Sequence, residues 1–308
     1  VASSQRVFDM LPDRNVVTWS ALIMGYAKNK CDKDALNYFH LMRENGVHPN
    51  EVTIACTLTS CGNIEILSKM HDEILMNDTW KNNFYISTMV IDVYAKCGSL
   101  VKAREALETL VVRNTVLWNV VISGYIQHCY HEEALKCLEY MELEGVSPNT
   151  VTVCCILKAC GNIGSLKIAE KLHVEVARKG LLEEDIVLGT ALVDMYSKCS
   201  LIAKAKDVFD MLPIRNRVTW TALISGYSQA GDIESAIITL TRMINEGGQK
   251  PDQVTFVSIL NAFSAAGYVD EGHTYLQFMI KHFGMPPSIN HYACIVDMIG
   301  RAGQLDYA

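Results

Sequence analysis

Three short motifs place a histidine two residues before a glutamate, at His71–Glu73, His131–Glu133 and His173–Glu175. In zinc-dependent deaminases such a histidine binds the metal together with two cysteines of a Pro-Cys-x-x-Cys segment, and the glutamate transfers protons. This sequence contains no Cys-x-x-Cys pair, no glycine-rich phosphate loop and no nucleophile motif. We therefore interpret the three triplets as ordinary helix residues, and we expect no catalytic residue, no metal and no cofactor.

The sequence has 11 cysteines, which is a large number for 308 residues. Cys56 and Cys61 are five residues apart, as are Cys155 and Cys160, and that spacing places each pair on different sides of a helix. The pattern favours small apolar side chains in the core of a protein from a reducing compartment over a disulfide framework or a metal site.

Composition and charge narrow the class of protein. Half of the residues are hydrophobic and 20% are charged, which is typical of a folded protein, and no apolar run is long enough to predict a membrane span. The net charge of −7 argues against binding nucleic acid through bulk positive charge. Val1 is not a methionine and no targeting segment follows it, so we expect the sequence to be part of a longer protein.

Internal repeats dominate the sequence. Arg-Val-Phe-Asp-Met-Leu-Pro at 6–12 returns as Asp-Val-Phe-Asp-Met-Leu-Pro at 207–213, and the segment at 19–26 has close copies at 118–125 and 220–227. The predicted repeats of 31 to 36 residues indicate stacked supersecondary elements and not one core. We place them at 1–15 (partial), 16–50, 51–83, 84–114, 115–149, 150–185, 186–216, 217–252, 253–288 and 289–308 (partial), in a single array over 1–308.

Each repeat is predicted to contain two helices. In 16–50 the first is expected to begin at Thr18 as the N-cap, with Trp19 on its apolar stripe, and the second carries Ala35, Phe39 and Met42 at helical spacing. Trp19, like Trp118 and Trp220, is expected in the core. Because one helix pair cannot bury its own stripe, neighbouring pairs must stack. The 51–83 repeat is three residues shorter than 150–185 between Cys61 and His71, so its stacking is the least regular.

These motifs resemble the pentatricopeptide repeat family. The match consists of Val-Thr-Trp-Ser-Ala-Leu-Ile-x-Gly-Tyr at 17–26, Ala-Leu-x-x-Phe-x-x-Met at 35–42 and Gly-Val-x-Pro-Asn at 46–50. The alternation of 35-residue, long and short repeats is similar to a plant organelle subclass. The resemblance implies an all-α fold, a right-handed superhelical solenoid of stacked helix–turn–helix repeats like that of tetratricopeptide repeat proteins.

In the family, the fifth and the last residue of each repeat recognise one base on its Watson–Crick edge. Because an ionised Asp only accepts while Asn both donates and accepts, Asp suits G or U and Asn suits A or C. The resemblance implies five base-recognition pairs, with the N-terminal repeat at the 5′ side: Ser20/Asn50 for A, Thr88/Asn114 for A, Asn119/Asn149 for a pyrimidine, Thr190/Asn216 for A and Thr221/Asp252 for G. The expected RNA is 5′-A-n-A-Y-n-A-G-n-3′, because Ala55, Cys154 and Val257 leave the long repeats without a partner for the base.

Two further positions are implied by the resemblance. The second residue of a repeat sandwiches the base, and here it is Val17, Val116, Val187 or Val218, with Tyr85 as a departure that could stack on a base. The thirteenth residue contacts phosphate, and its cations are Lys28, Lys96, Lys198 and Arg301. A cation at the end of a helix is also favoured by the helix dipole, so a purely structural role stays open.

The sequence thus predicts a non-enzymatic module that binds single-stranded organellar RNA in the chloroplast or mitochondrion, in RNA processing. The resemblance implies site recognition for C-to-U editing, with accessory proteins or a deaminase as further partners and no membrane association. A deaminase domain of the full-length protein would lie beyond Ala308. Two alternatives stay open: a helical scaffold for protein–protein interaction, and an all-helical enzyme, which would need one convergent polar cluster where this sequence repeats its polar residues.

Overall fold

The fold is all-α in the part of the chain that the structure describes. The structure is a computed structural model that describes residues 2–60, 64–246 and 248–302, and these contain nineteen α-helices and no strand. This confirms the predicted all-α helical-repeat fold. Residues 61–63, including Cys61 of the shortened repeat, lie outside the described residues. The chain divides into two compact bodies, residues 1–152 and 153–308, which are described separately below.

The helices are short, and most have 13 residues or fewer. The first ten are α1 (Ala2–Asp9), α2 (Val16–Lys28), α3 (Asp32–Glu44), α4 (Glu51–Thr59), α5 (Ile64–Leu75), α6 (Phe84–Lys96), α7 (Leu100–Glu108), α8 (Thr115–Gln127), α9 (His131–Leu143) and α10 (Thr150–Ile163). The others are α11 (Leu166–Arg178), α12 (Leu181–Glu184), α13 (Ile186–Lys198), α14 (Ile202–Met211), α15 (Arg217–Gln229), α16 (Ile233–Asn245), α17 (Gln253–Ala266), α18 (Val269–Phe283) and α19 (Ile289–Arg301).

Packing follows the two-helix repeat in both bodies. The first helix of a repeat packs on its own second helix, as α2 does on α3 and α15 on α16. It also packs on the first helix of the next repeat: α2 on α4 and α6 on α8 in the N-terminal body, and α13 on α15 and α15 on α17 in the C-terminal body. The first helices therefore form a continuous layer within each body. The repeat boundaries inferred from the sequence remain a prediction.

Close packing of the first helices depends on small residues. At Gly124 of α8, a Cβ atom would lie 2.6 Å from the Cβ atom of Ala95 in α6, so a larger residue would force these helices apart. The predicted tryptophans lie in the core, with Trp19, Trp118 and Trp220 at most 2% exposed. Trp19 and Trp220 each meet a phenylalanine edge to face, Phe8 and Phe209.

Two local predictions were wrong. The N-cap of α2 is Asn15 and not Thr18, since the Asn15 side chain accepts from the backbone N–H groups of Val17 and Thr18. The cysteines are also less buried than predicted. Ten are described, of which four are buried, while Cys97 and Cys129 are exposed. Cys97 caps α6 and Cys129 lies in the turn after α8, where the backbone leaves the core.

Candidate nucleic-acid interface

The last residue of a repeat caps the first helix of the next. Asn50, Asn216 and Asp252 each accept a hydrogen bond from the backbone N–H group three residues further on, at 2.9–3.0 Å. Asn114 and Asn149 cap α8 and α10 in the same way. Capping satisfies a free N–H group at the helix start, which by itself explains why Asn and Asp occur here. Support for base recognition must therefore come from the arrangement around each cap.

In four of the five predicted pairs, a buried threonine joins the fifth residue to the last residue. We call these side chains the bridging threonines; each is the third residue of the following repeat and is 0% exposed: Thr53, Thr152, Thr219 and Thr255. In the Thr190/Asn216 pair, the Thr190 and Thr219 hydroxyl oxygens are 2.7 Å apart. The Thr219 hydroxyl donates to Oδ1 of Asn216 at 3.1 Å. The structure thus connects two residues that are 26 positions apart in the sequence.

The same bridge occurs in the Ser20/Asn50 and Thr221/Asp252 pairs. Ser20 lies 2.6 Å from the Thr53 hydroxyl, which donates to Asn50 at 2.9 Å. Thr221 lies 2.8 Å from the Thr255 hydroxyl, which donates to Asp252 at 2.9 Å. Ser20 and Thr221 are themselves buried, so they offer little hydroxyl surface to a base. The other oxygen of Asp252 faces the Arg217 guanidinium at 3.2 Å, an exposed ion pair that an arriving base would displace at small cost.

The Asn119/Asn149 pair is connected both directly and through the bridge. Nδ2 of Asn119 donates to Oδ1 of Asn149 at 3.0 Å, and the Thr152 hydroxyl lies 2.6 Å from Oδ1 of Asn119 and 3.0 Å from Oδ1 of Asn149. Oδ1 of Asn149 also accepts the N–H of Thr152. Since that oxygen already accepts from Nδ2 of Asn119 and from the N–H of Thr152, Asn149 is left with its amide N–H groups as the polar atoms for a base.

The fifth pair is not brought together. The Thr88 hydroxyl donates to the carbonyl oxygen of Phe84 in its own helix at 2.8 Å, and Asn114 accepts only from the backbone N–H groups of Val116 and Leu117. The bridging position is occupied by Leu117, which has no hydroxyl. Thr88 and Asn114 therefore act as separate side chains among the described residues.

Exposed apolar side chains follow the second position of the repeats. Val17, Val116, Val187 and Val218 are all about half exposed or more, as is Tyr85. The long repeats show the same feature, which the sequence analysis missed, at Val52, Val151 and Val254. The signal was present, since these valines also stand second in their predicted repeats. An apolar side chain is held in solvent there, where it could contact the face of a base.

Two grooves contain half of the ten predicted base-recognition residues. In the C-terminal body a groove of about 510 Å³ is lined by the predicted base-recognition residues Thr190, Asn216 and Thr221 together with Val187, Val218 and Val254. In the N-terminal body a groove of about 400 Å³ is lined by Asn119 and Asn149 together with Val116 and Val151, and Lys96 lies beside them. In both grooves the polar pair thus lies between exposed valines of adjacent repeats.

Most of the predicted phosphate-contacting cations are already paired. Lys96 lies 2.5 Å from Asp92, Lys198 lies 2.6 Å from Asp194 and Arg301 lies 2.8 Å from Asp297, each one helical turn earlier. Hydrogen bonds from Ser264 and Arg301 lower the pKa of Asp297. Lys28 has no ion pair within the described part of the chain. All four cations are the last residue of a helix, as a helix-dipole role would also require.

The long repeat 150–185 contributes a cation that the sequence analysis missed. Lys158 is exposed and lines the C-terminal groove one turn after Cys154, the fifth residue of its repeat. Burial raises the pKa of the Cys154 thiol to about 11, so this side chain is neutral near pH 7. Ala55 is buried, and neither it nor Val257 carries a polar group for a base. In repeat 150–185, Lys158 therefore supplies the charged group that lines the C-terminal groove.

The other sites considered from the sequence do not converge. Among residues 2–60, 64–246 and 248–302 no group of three or more His, Cys, Asp and Glu side chains could hold a metal ion. Within the same residues no helix has the length and apolar character of a membrane span. His71 and His173 lie in α5 and α11 and contact the hydroxyl groups of Tyr94 and Tyr196, and burial lowers the pKa of both imidazoles.

The geometry defines a class of protein: a stacked helical-repeat protein with grooves in which polar pairs alternate with exposed valines. Known protein families that match this chain belong to the same class. A model of the PPR repeat family matches residues 14–63, 113–162 and 215–265, and a PPR repeat model matches 254–282. The chain belongs to the pentatricopeptide repeat family.

Individual relatives agree with this assignment. A chloroplastic pentatricopeptide repeat-containing protein of Arabidopsis thaliana is 34% identical over 255 residues, which is 82% of this chain and 41% of that protein. A mitochondrial one from the same plant is 36% identical over 244 residues, 78% of this chain and 44% of that protein. The chain thus spans less than half the length of these two relatives.

A solved structure shares the fold. The crystal structure of the maize pentatricopeptide repeat protein PPR10 in complex with an 18-nt psaJ RNA element matches 99% of this chain and 52% of PPR10, with a TM-score of 0.55 and 18% identity. At that level of identity the likeness supports the helical-repeat fold alone.

Proposed function

We propose that this chain binds single-stranded RNA in a sequence-specific way, with about one base per repeat, and that five repeats supply the discriminating contacts. The observation that carries the proposal is the C-terminal groove, in which Thr190 and Asn216 lie between the exposed valines Val187 and Val218. Apolar walls can stack on the face of a base while the polar pair contacts its edge, and unpaired RNA bases expose both.

The proposed base assignments keep the order inferred from the sequence. The proposed bases, in chain order, are A for Ser20/Asn50, A for Thr88/Asn114, a pyrimidine for Asn119/Asn149, A for Thr190/Asn216 and G for Thr221/Asp252, along 5′-A-n-A-Y-n-A-G-n-3′. Val17, Val116, Val187 and Val218 supply the stacking, joined by Val52, Val151 and Val254, with roughly 1–3 kcal/mol per stacked base. Lys28, Lys96, Lys198 and Arg301 are proposed to contact phosphates, with Lys158 as an additional cation.

We further propose that the RNA is an organellar transcript and that binding directs processing at a chosen site, C-to-U editing above all. The relatives described above include a chloroplastic and a mitochondrial protein, which supports an organellar location. The alternation of 35-residue, long and short repeats supports the editing role. The chemistry would be performed by a deaminase, as a further domain or a partner, with accessory proteins where needed, because the proposed role of this chain is recognition.

The test is a fluorescence anisotropy titration with the proposed RNA and with a scrambled RNA of the same composition. The proposed RNA should bind at least tenfold more tightly, and equal affinities would overturn the proposal. A second arm exchanges the Asn119/Asn149 pair by Asn119→Thr and Asn149→Asp. The preference at the fourth nucleotide should change from pyrimidine to G, while the preference at the other four assigned nucleotides stays the same.

A further inference from the structure

The proton on the Thr219 hydroxyl is already used within the bridge. A hydroxyl has one hydrogen, and the Thr219 hydrogen is donated to Oδ1 of Asn216. The contact of 2.7 Å between Thr190 and Thr219 must then be made by the Thr190 hydrogen. Reversing this direction would leave the buried Thr219 oxygen and Oδ1 of Asn216 facing each other at 3.1 Å with no hydrogen between them, which loses one hydrogen bond.

The direction of these hydrogen bonds determines what the pair can offer to a base. With its hydrogen committed, the Thr190 oxygen faces the groove as an acceptor. Oδ1 of Asn216 accepts from both the N–H and the hydroxyl of Thr219, so the Asn216 amide has only its N–H groups left, which donate. One acceptor and one donor complement the edge of adenine, which presents an amino donor beside a ring-nitrogen acceptor. Guanine presents the opposite order, a carbonyl acceptor beside a ring N–H donor.

The Thr88/Asn114 pair has the same residue types without this constraint. The Thr88 hydroxyl donates to the Phe84 carbonyl, which already accepts a helical N–H group, so that hydroxyl can turn to donate to a base at little cost. Nothing buried depends on its direction, because Leu117 replaces the threonine. This pair is able to accept or donate at the fifth residue, and it is therefore more permissive.

We infer that Thr219, which the family resemblance does not assign to RNA recognition, is a positioning residue that fixes Thr190 as an acceptor and thereby sharpens the discrimination of adenine from guanine. The inference rests on the proposed function and adds a third residue to the recognition of one base. Thr53 holds the equivalent place in the Ser20/Asn50 pair, which is also assigned to A. The residue touches no RNA itself, because it is buried behind the pair.

The test compares two nucleotides bound by one protein. Four RNAs carry A or G at the third or sixth nucleotide of the proposed sequence, facing Thr88/Asn114 and Thr190/Asn216 respectively. In the wild-type protein the ratio of affinities for A over G should be about tenfold larger at the sixth nucleotide than at the third, in line with one hydrogen bond. Thr219→Val should remove most of that excess and leave the ratio at the third nucleotide unchanged.

Two more variants separate positioning from packing. Thr219→Ser keeps the hydroxyl and should keep the ratio, and Leu117→Thr installs a hydroxyl and should raise the ratio at the third nucleotide. A Thr219→Val protein that discriminates like the wild type would overturn the inference and leave RNA binding intact, as would Thr219→Ser losing discrimination. A wild-type protein that binds A and G equally at the sixth nucleotide, and binds the scrambled RNA as well, would overturn the proposed function too.

Discussion

Two short repeats, 84–114 and 186–216, carry the same predicted base-recognition residues, a threonine in the fifth position and an asparagine in the last. In 186–216 the pair is joined by the buried Thr219, whereas in 84–114 Leu117 occupies that place and the two side chains are separate. The difference lies in neither residue of the pair. The hydrogen bonds of a predicted base-recognition pair therefore depend on a third residue, one that belongs to the following repeat.

The largest effect is expected from an identical substitution in both pairs. Asn216→Asp and Asn114→Asp each replace an amide that can donate with an acceptor-only carboxylate, which suits the ring N–H of guanine, and Asp still caps the next helix. The A over G ratio should fall about a hundredfold for Asn216→Asp at the sixth nucleotide, since hydrogen bonds to charged groups are stronger. The fall for Asn114→Asp at the third should be smaller.

Anisotropy titrations at fixed salt measure both ratios. Each variant is the control for the other, because the nucleotide facing the unaltered pair must keep its wild-type ratio. Equal falls in the A over G ratio at the two nucleotides would show that the bridge does not distinguish the two pairs. A fall at the wrong nucleotide would instead contradict the assigned order of bases.

A smaller effect is expected from two of the predicted phosphate-contacting cations, one without an ion pair and one with an ion pair. Lys28 has no acidic partner among the described residues, whereas Lys198 in the bridged repeat 186–216 shares its charge with Asp194 at 2.6 Å. Lys28→Gln should therefore weaken RNA binding by roughly threefold and reduce the salt slope by about 0.7, as expected for one lost phosphate contact on a single strand. Lys198→Gln should weaken binding less.

Salt titrations from low to physiological ionic strength provide the measurement. Asp194→Asn is the matched control, since it frees the Lys198 charge and should raise affinity and steepen the slope. If Lys198→Gln proves as costly as Lys28→Gln, the ion pair does not reduce the contribution of Lys198 to RNA binding.

The smallest effect concerns the stability of the same two repeats. The turn after their first helices needs a left-handed backbone, which glycine supplies at Gly98 with φ +76° and serine must adopt at Ser200 with φ +60°. Because a side chain in that conformation costs roughly 1 kcal/mol, Ser200→Gly should stabilise the protein by about that amount. Gly98→Ser should destabilise it by a similar amount, and somewhat more because the added Cβ would meet the His128 ring at 3.3 Å.

Chemical denaturation followed by circular dichroism measures both changes. RNA discrimination at the third and sixth nucleotides should stay at the wild-type value in both variants, since the turn does not line either groove. A change in discrimination here would show that repeat stability, and not the bridge, sets the difference between the two repeats.

The all-α repeat fold follows from the sequence alone, because an apolar pattern returning at a constant interval can be buried only by stacking helix pairs. The sequence also indicated the family, and it predicted the core tryptophans correctly, since Trp19 stands on an apolar stripe with helical spacing. Its failures were local. Thr18 was chosen as an N-cap although Asn15 caps the helix, because Thr and Asn are both good caps and only the backbone shows where the helix starts.

The hydrogen bonds that connect the predicted residues are visible only in the folded protein. Thr190 and Asn216 are joined through Thr219 because the stacking of α13 on α15 brings the fifth residue of one repeat against the third residue of the next. The sequence contained the threonine, but a pattern within one helix cannot show a hydrogen bond between two. The same holds for Thr88 and Asn114, whose residue types match those of the bridged pair and whose separation depends on the buried Leu117 between the helices.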